Sequence, residues 1–302
     1  MSTQLALITQ SSLTDIADAI RAKTGGSAAM TPAQMPTEIA AIPSGGGTPG
    51  VHARYYIDNN HALMLGVSPA MNNEAPQPAD LVELDFSEIH LIYGSALRSA
   101  FQDCNGIKSI SFPNLASLTG GGSAFRSAFT GSSNLESISF AALQTAINRT
   151  FQNAFQSCYK LTSVNFPLLK RAEDYAFTYA LSSCSSLTQV EFPELEYIGT
   201  YGFDHAFYSS NAISSFSFPK LKTLGDKALN YAFNGVRVFT SINFPSLETV
   251  DAGAFGTACF TGCNALTAIH FPAAVQTQIE ATTGYSTLWG RGAGNATVYF
   301  DL

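Results

Sequence analysis

Charge is the first thing this sequence lacks. Asp, Glu, Lys and Arg together make up 12% of its 302 residues, about half the share usual for soluble domains. Only 15 residues are Lys or Arg against 22 Asp or Glu, which sets the net charge at -7 and the pI near 5.2. No basic run occurs, and a nucleic-acid partner is thereby disfavoured, because phosphate recognition needs clustered cations. No stretch reaches the roughly 18 consecutive apolar residues of a membrane span. Met1 to Ile8 carries no Lys or Arg, and Thr9 to Ser12 break its apolar run, so no secretory signal is expected there. A protein of this kind working outside its cell would leave by lysis or within an assembled particle.

Chemistry-bearing motifs are also missing. Cysteine occurs five times, at Cys104, Cys158, Cys184, Cys259 and Cys263, an odd number that argues against a disulfide framework. His52, His61, His90, His205 and His270 show no metal-ligand spacing. There is no Gly-x-Ser-x-Gly elbow, no His-Glu-x-x-His pair and no phosphate loop. A glycan-cleaving enzyme would need two positioned carboxylates, and pairs such as Glu173-Asp174 read as solvated turn residues. The expectation is a protein with no catalytic residue, no metal and no cofactor.

What is present is a repeat. Phe86, Phe112, Phe140, Phe166, Phe192, Phe218, Phe244 and Phe271 are separated by 26, 28, 26, 26, 26, 26 and 27 residues, and Pro follows six of the eight. Each copy begins with an alternating segment, as in Leu161-x-x-Val164-x-Phe166. Residues two apart share one face of a strand, so Val164 and Phe166 point inward while Ser163 and Asn165 point outward. Proline after the strand ends it without wasting a backbone donor. This resembles the strand pattern of leucine-rich repeats. One coil cannot bury its apolar residues alone, so about eight coils must stack into a solenoid with a parallel sheet, capped at both ends.

The second half of each copy changes period. Phe151 and Phe155 are four apart, as are Phe177 and Leu181, Phe203 and Phe207, and Leu229 and Phe233. A four-residue spacing predicts a helical turn carrying both side chains inward, giving an α/β coil of strand plus helix. Three residues beyond the second member stands Cys104, Cys158, Cys184 or Cys263, or Ser132 or Ser210. A small buried residue of the repeat explains these thiols better than reactivity does.

Four segments follow from the patterning. Residues 1–50 form a short helical module, with Leu13, Ile16, Ala17 and Ile20 at helical spacing, and end in the linker Pro43 to Gly50. Residues 51–81 comprise a hairpin split by Asp58-Asn59-Asn60, acting as a cap, and a loop from Ser68 to Pro78. The repeats fill 82–272. Residues 273–302 form a C-terminal cap holding Trp289, the turn Gly290 to Gly294 and a ninth strand at Val298 and Phe300.

Two resemblances attach to these residues. The strand, Pro, Ala-Phe and Cys-Ser positions of 82–272 resemble the BspA-like class of leucine-rich repeats. The wording Leu13-Thr-Asp-Ile-Ala-Asp-Ala-Ile-Arg21, followed by Met30-Thr-Pro-Ala-Gln-Met-Pro36, resembles the leader of tail proteins in phages and prophages of Gram-positive bacteria. The ending from Gly284 to Leu302 is similar to the tails of such proteins. These resemblances imply a virion tail-fibre or receptor-binding protein, attached to other tail proteins through residues 1–50, released by host lysis and trimeric as such fibres often are. Its partner would be a bacterial surface glycan or protein. A bacterial cell-surface adhesin of the same repeat class is the second reading, and a structural tail spacer the third.

Two surfaces are candidates for binding. The strand face carries Ser163, Asn165, Gln189, Glu191 and Asn243, with serines in the other coils and His270 near its end. Such a small polar face suits hydrogen bonding to a glycan or a protein loop. In the second half of the coil, Asn153, Tyr179, His205 and Tyr231 stand thirteen residues after successive Phe positions, with Tyr175 and Tyr201 in a neighbouring row. Aligned aromatics there are expected to stack against sugar faces. A purely structural role, tying adjacent coils together, is the competing reading of both rows.

Overall fold

The computed structural model describes residues 55–57, 63–65, 83–85, 90–95, 97–103, 105, 107–282 and 296–302. The strands, in chain order, begin with β1 (Tyr55–Ile57), β2 (Leu63–Leu65), β3 (Glu83–Asp85), β4 (Leu91–Tyr93), β5 (Ser109–Ser111) and β6 (Ser117–Thr119). They continue with β7 (Ser137–Ser139), β8 (Thr145–Ala146), β9 (Ser163–Asn165), β10 (Arg171–Ala172), β11 (Gln189–Glu191) and β12 (Tyr197–Ile198). The last are β13 (Thr223–Leu224), β14 (Ser241–Asn243), β15 (Thr249–Val250), β16 (Ala268–Phe271) and β17 (Thr297–Phe300). One short helix, α1 (Gln276–Glu280), follows β16. The leader 1–50, the loop 68–78, Phe86, Cys104, Trp289 and the 290–294 glycine segment lie outside the described residues. β1 and β2 pair antiparallel, Tyr55 opposite Leu65.

The rest is a parallel solenoid of about 7 turns. Its first face is the expected sheet, with β3, β5, β7, β9 and β11 paired in that order and β14, β16 and β17 forming a second group. The register repeats coil by coil, with Ser137 beside Ser163 and Ser163 beside Gln189. The alternation behaves as a half-buried strand requires: Ile138, Val164 and Val190 are buried while Asn165, Gln189 and Glu191 are exposed. Between β11 and β14 pairing shrinks to a single bridge, Ser217 with Asn243. This is the coil in which Phe216 replaces the β-branched residue and wedges between the Phe207 and Phe233 rings, 4.6 and 4.8 Å away.

A second parallel face was not expected from the pattern. After the Pro corner, β8, β10, β12, β13 and β15 pair into one sheet and β4 with β6 into another. Ala146, Ala172, Ile198, Leu224 and Val250 point into the core from it. The strands of this longer sheet are only two residues each, too short to display a period of two. Their signal is the recurring Leu-x-x-apolar step, Leu169 to Ala172 or Leu195 to Ile198.

The helical half is the main correction. From residues 148 to 157 the chain is a succession of turns, and no α-helix forms in any repeat among the described residues. Alternate amides follow two rules. Thr150, Gln152, Ala154, Gln156 and Cys158 donate to the carbonyl three residues back. Arg149, Phe151, Asn153, Phe155 and Ser157 donate instead to the next coil, at 2.8 to 3.1 Å. Every fourth residue takes a positive φ: Arg149 at 56°, Asn153 at 57° and Ser157 at 61°. The result is a turn ribbon with a four-residue repeat, which mimics the spacing of a helical face. Its backbone bonds run between coils as those of a sheet do.

Phenylalanine fills the core in stacked columns. Phe112, Phe140, Phe166, Phe192, Phe218, Phe244, Phe271 and Phe300 form one column, with centroids 5.1 to 6.3 Å apart. Phe125, Phe151, Phe177 and Phe203 form another at 4.8 to 5.2 Å. The two meet edge to face, as Phe166 does with Phe177 at 87°, the geometry that ring quadrupoles prefer. At the far end α1 turns Gln278 onto the free edge of β15. Its Oε1 accepts from Val250 N–H at 2.8 Å and its Nε2 donates to the Glu248 carbonyl at 3.1 Å. One side-chain amide thus satisfies the edge that a further strand would otherwise cover.

Candidate functional site

On the ribbon, the inward places are taken by Phe or Leu and by Ala, so the left-handed residues between them project outward. Tyr175, Tyr179, Tyr201, His205 and Tyr231 occupy these positions with φ of 58, 55, 53, 53 and 51°. A bulky side chain in that region costs about 1–3 kcal/mol. Coils on either side fill equivalent positions with Ser127, Arg149, Asn153 and Lys227. The Tyr175, Tyr179, Tyr201 and His205 amides gain inter-coil bonds in return, such as Tyr179 N–H to the Asp204 carbonyl at 2.9 Å and His205 N–H to the Asn230 carbonyl at 2.9 Å.

The aromatics form two ladders. Tyr179, His205 and Tyr231 stack at 4.3 and 4.5 Å, nearly parallel at 17 and 8°. Tyr175 and Tyr201 stack at 5.2 Å and 6°. Because the rings cover one another's faces, a ligand between the ladder ends meets their edges and polar tips. The expected stacking of sugars on ring faces therefore does not fit the interior of either ladder. Tyr208, 37% exposed, leans on His205 at 5.7 Å and widens the aromatic strip.

The electrostatics behind this strip were not legible. Asp204 is buried beneath the ladder, its Oδ1 2.8 Å from His205 Nδ1 and accepting from Asn230 Nδ2 at 2.8 Å. It orients the imidazole through one ring nitrogen. Burial first, then Asp204, Tyr208 and Tyr231, raise the Tyr179 pKa, which keeps its hydroxyl a donor. At the ends of the other ladder, the Arg149 guanidinium lies 4.9 Å from the Tyr175 ring centre, and Lys227 Nζ donates to the Tyr201 hydroxyl at 2.8 Å. That bond, more than any other influence, raises the Lys227 pKa. The signal for Asp204 and Asn230 was the column Gln152, Thr178, Asp204, Asn230, one residue before the aromatic row.

The strand-face candidates separate into two groups. Ser163, Asn165, Gln189 and Glu191 are direct neighbours through the β9–β11 register. Asn243 lies beyond the weakened coil, where it adjoins Ser217 and His270. There His270 stacks on Tyr299 at 4.7 Å and places Nδ1 2.9 Å from Asp301 Oδ1. The ten candidate residues thus occupy different sides of the coil, and no single site unites them.

The thiols sit inside. Cys158 and Cys184 Sγ donate to the Phe129 and Phe155 carbonyls at 3.1 Å, and Cys263 to Phe233 at 3.0 Å. Ser132 and Ser210 hydroxyls make the equivalent bonds to Phe101 and Leu181 at 2.6 Å. Among the described residues no group of His, Cys, Asp or Glu could hold a metal ion, and no helix is long and apolar enough to cross a membrane.

No curated protein matches the chain. Among solved structures it is similar to a leucine-rich repeat protein from Bacteroides ovatus, at 17% identity and a TM-score of 0.25, covering 74% of each chain. It is also similar to a leucine rich cell surface protein from Faecalibacterium prausnitzii, at 12% identity and a TM-score of 0.28, covering 85% of this chain and 95% of that one. The family model for the BspA type leucine rich repeat region matches residues 95–206 and 178–283 in six copies. Strand pattern, Pro corner, buried Cys or Ser and the matched span agree: the chain belongs to the BspA type leucine-rich-repeat family.

Proposed function

We propose that this chain is a non-catalytic binding scaffold acting at a bacterial surface, and that its ribbon face contacts a glycan. One observation carries the reading. Three successive coils place Tyr or His outward on strained left-handed backbone, where Ser, Asn, Arg or Lys serves in other coils. The ribbon requires the left-handed backbone but not an aromatic on it, and a bulky side chain held at such a position is a candidate for recognition. Hydroxyls and an imidazole held in line by stacking offer hydrogen-bond partners at each coil, matched to a polymer with repeated hydroxyls. The Tyr179→Ala, Tyr231→Ala double variant should weaken binding to isolated envelope glycans by roughly thirtyfold, about 2 kcal/mol for two lost donors. Undiminished binding by the folded double variant would remove the ladder from the reading.

Membership of the BspA type family favours a cell-surface adhesin as the setting. The leader resemblance at residues 13–36 favours a second setting, a particle-attached receptor-binding protein. Antibody against the chain separates them, by labelling either the cell envelope or released particles.

A further inference from the structure

We propose that the ribbon face takes a polyanionic glycan, its acidic groups seated on Arg98, Arg126 and Arg149; this rests on the glycan reading above. Arg98 and Arg126 hold the same ribbon position in adjacent coils. Ser99 N–H donates to the Arg126 carbonyl at 2.9 Å, as Ser127 N–H does to Gln152 at 2.8 Å in the next coil. Arg149 stands in that next coil, one row over, with its guanidinium above Tyr175. The three are separated by 28 and 23 residues, which hides the cluster from any reading of the linear sequence.

Three guanidinium groups on neighbouring coils repel one another. Partial burial, followed by the Arg98 and Arg149 charges, pulls the Arg126 pKa below the ordinary arginine value. Among the described residues none of the three forms an ion pair with a carboxylate. Asp103, on the Arg98 coil, lies against Gly131, and three acids further along the ribbon are engaged elsewhere. Glu173 pairs with Arg171 at 2.8 Å, Asp174 accepts from Thr200 N–H at 2.9 Å, and Asp204 holds His205 and Asn230. In a chain of net charge -7, a positive cluster with no carboxylate partner among the described residues is a place where an arriving anion relieves repulsion.

The row continues past Arg149 through two tyrosines to a second cation. Tyr175 and Tyr201 stack face to face and offer their edges, the positive part of the ring quadrupole. Lys227 ends the row at the next coil, exposed and hydrogen-bonded to Tyr201. A single small anion would occupy the arginines alone. A polymer carrying acidic groups between hydroxylated rings would use the arginines, the tyrosine tips and Lys227 together, and this is the ligand class the geometry fits.

The test titrates the full chain with four probes: polygalacturonate, a glycerol-phosphate wall polymer, neutral dextran and duplex DNA. The Arg98→Gln, Arg126→Gln, Arg149→Gln variant should bind the acidic polymers about tenfold more weakly, with a shallower salt dependence and unchanged affinity for dextran. Preference for polygalacturonate would assign carboxylates, and preference for the wall polymer phosphates; either supports the proposal. The triple Lys variant keeps the charge and is expected to retain most of the affinity. A thermal midpoint no lower in the Gln variant shows that lost binding is not lost folding. Parental affinity of the Gln variant for both acidic polymers overturns the proposal, and so does DNA binding as tight as theirs. If Tyr179→Ala with Tyr231→Ala abolishes binding while the Gln variant binds normally, the arginine assignment falls and the glycan reading stands. Absence of binding to every glycan overturns both.

Discussion

At the scale of single residues, the thiols show why two side chains can share one place in the repeat. Cys158, Cys184 and Cys263 occupy the position that Ser132 and Ser210 fill elsewhere, and each gives its hydrogen to a carbonyl of the preceding coil. The requirement is a small donor. Cys184→Ser should therefore change stability little, while Cys184→Val should cost about 0.5 kcal/mol by removing one of the two donors to the Phe155 carbonyl, the Cys158 N–H remaining, as chemical unfolding can measure. Burial pushes the Cys184 and Cys263 thiols from 9.0 up to about 12. The folded state thus holds protons that the unfolded chain releases. Their contribution is fully present below pH 9 and is lost as pH rises toward 12, by up to about 1.4 kcal/mol per pH unit for each thiol. Unfolding titrations between pH 8 and 11 should show this loss, and a variant with Ser at both positions should show less of it.

At the scale of elements, the ribbon explains both what the sequence displays and what it conceals. Inward residues four apart, such as Phe151 and Phe155, satisfy a helix and a turn ribbon equally well, so periodicity alone cannot choose between them. The choice lies in backbone sign. In a helix interior, Gly to Ala stabilises by up to about 1 kcal/mol; at a left-handed ribbon position the order reverses. Gly235→Ala, at φ of 79°, should lose about 1 kcal/mol, and Ser183→Gly, at 61°, should gain about 0.5 kcal/mol. Thermal unfolding of both variants checks the pair, and helix-like signs in the two would refute the ribbon. The first sheet was legible because Ser163-Val164-Asn165 alternates with one face buried. The second was not, since Arg171-Ala172 offers one inward residue and no period.

At the scale of the molecule, the coil is a unit of 26 residues, the separation that recurs in contacts between successive coils. Deleting Pro167 through Phe192 joins Phe166 to Pro193 in register. The shortened chain should fold cooperatively with a slightly lower midpoint. Deleting Pro167 through Glu191 leaves Phe166 beside Phe192 with one residue too many at the corner, and should lower the midpoint further because that residue must bulge out of the strand or the turn. Circular dichroism and unfolding curves distinguish the two. The candidate site was partly legible at this scale. Fixed offsets from each Phe place Tyr179, His205 and Tyr231 outward in one row. That their faces would be spent on one another depends on a coil spacing the sequence does not display, and the arginine cluster depends on unequal coil lengths.

The Gln278 amide on the β15 edge and the inter-coil bonds of the ribbon have a mechanical consequence. The inter-coil backbone bonds of both sheets and of the ribbon run along the solenoid axis, so most coil boundaries are clamped on several sides, and those flanking the Phe216 coil, where first-sheet pairing shrinks to one bridge, are held least. Tension applied end to end loads these clamps together at each boundary and in series along the chain. A tether of this kind resists without stretching until one boundary yields, and then releases about 90 Å of chain for one coil. A protein holding a surface under flow would give way by single coils and keep the remaining binding face intact.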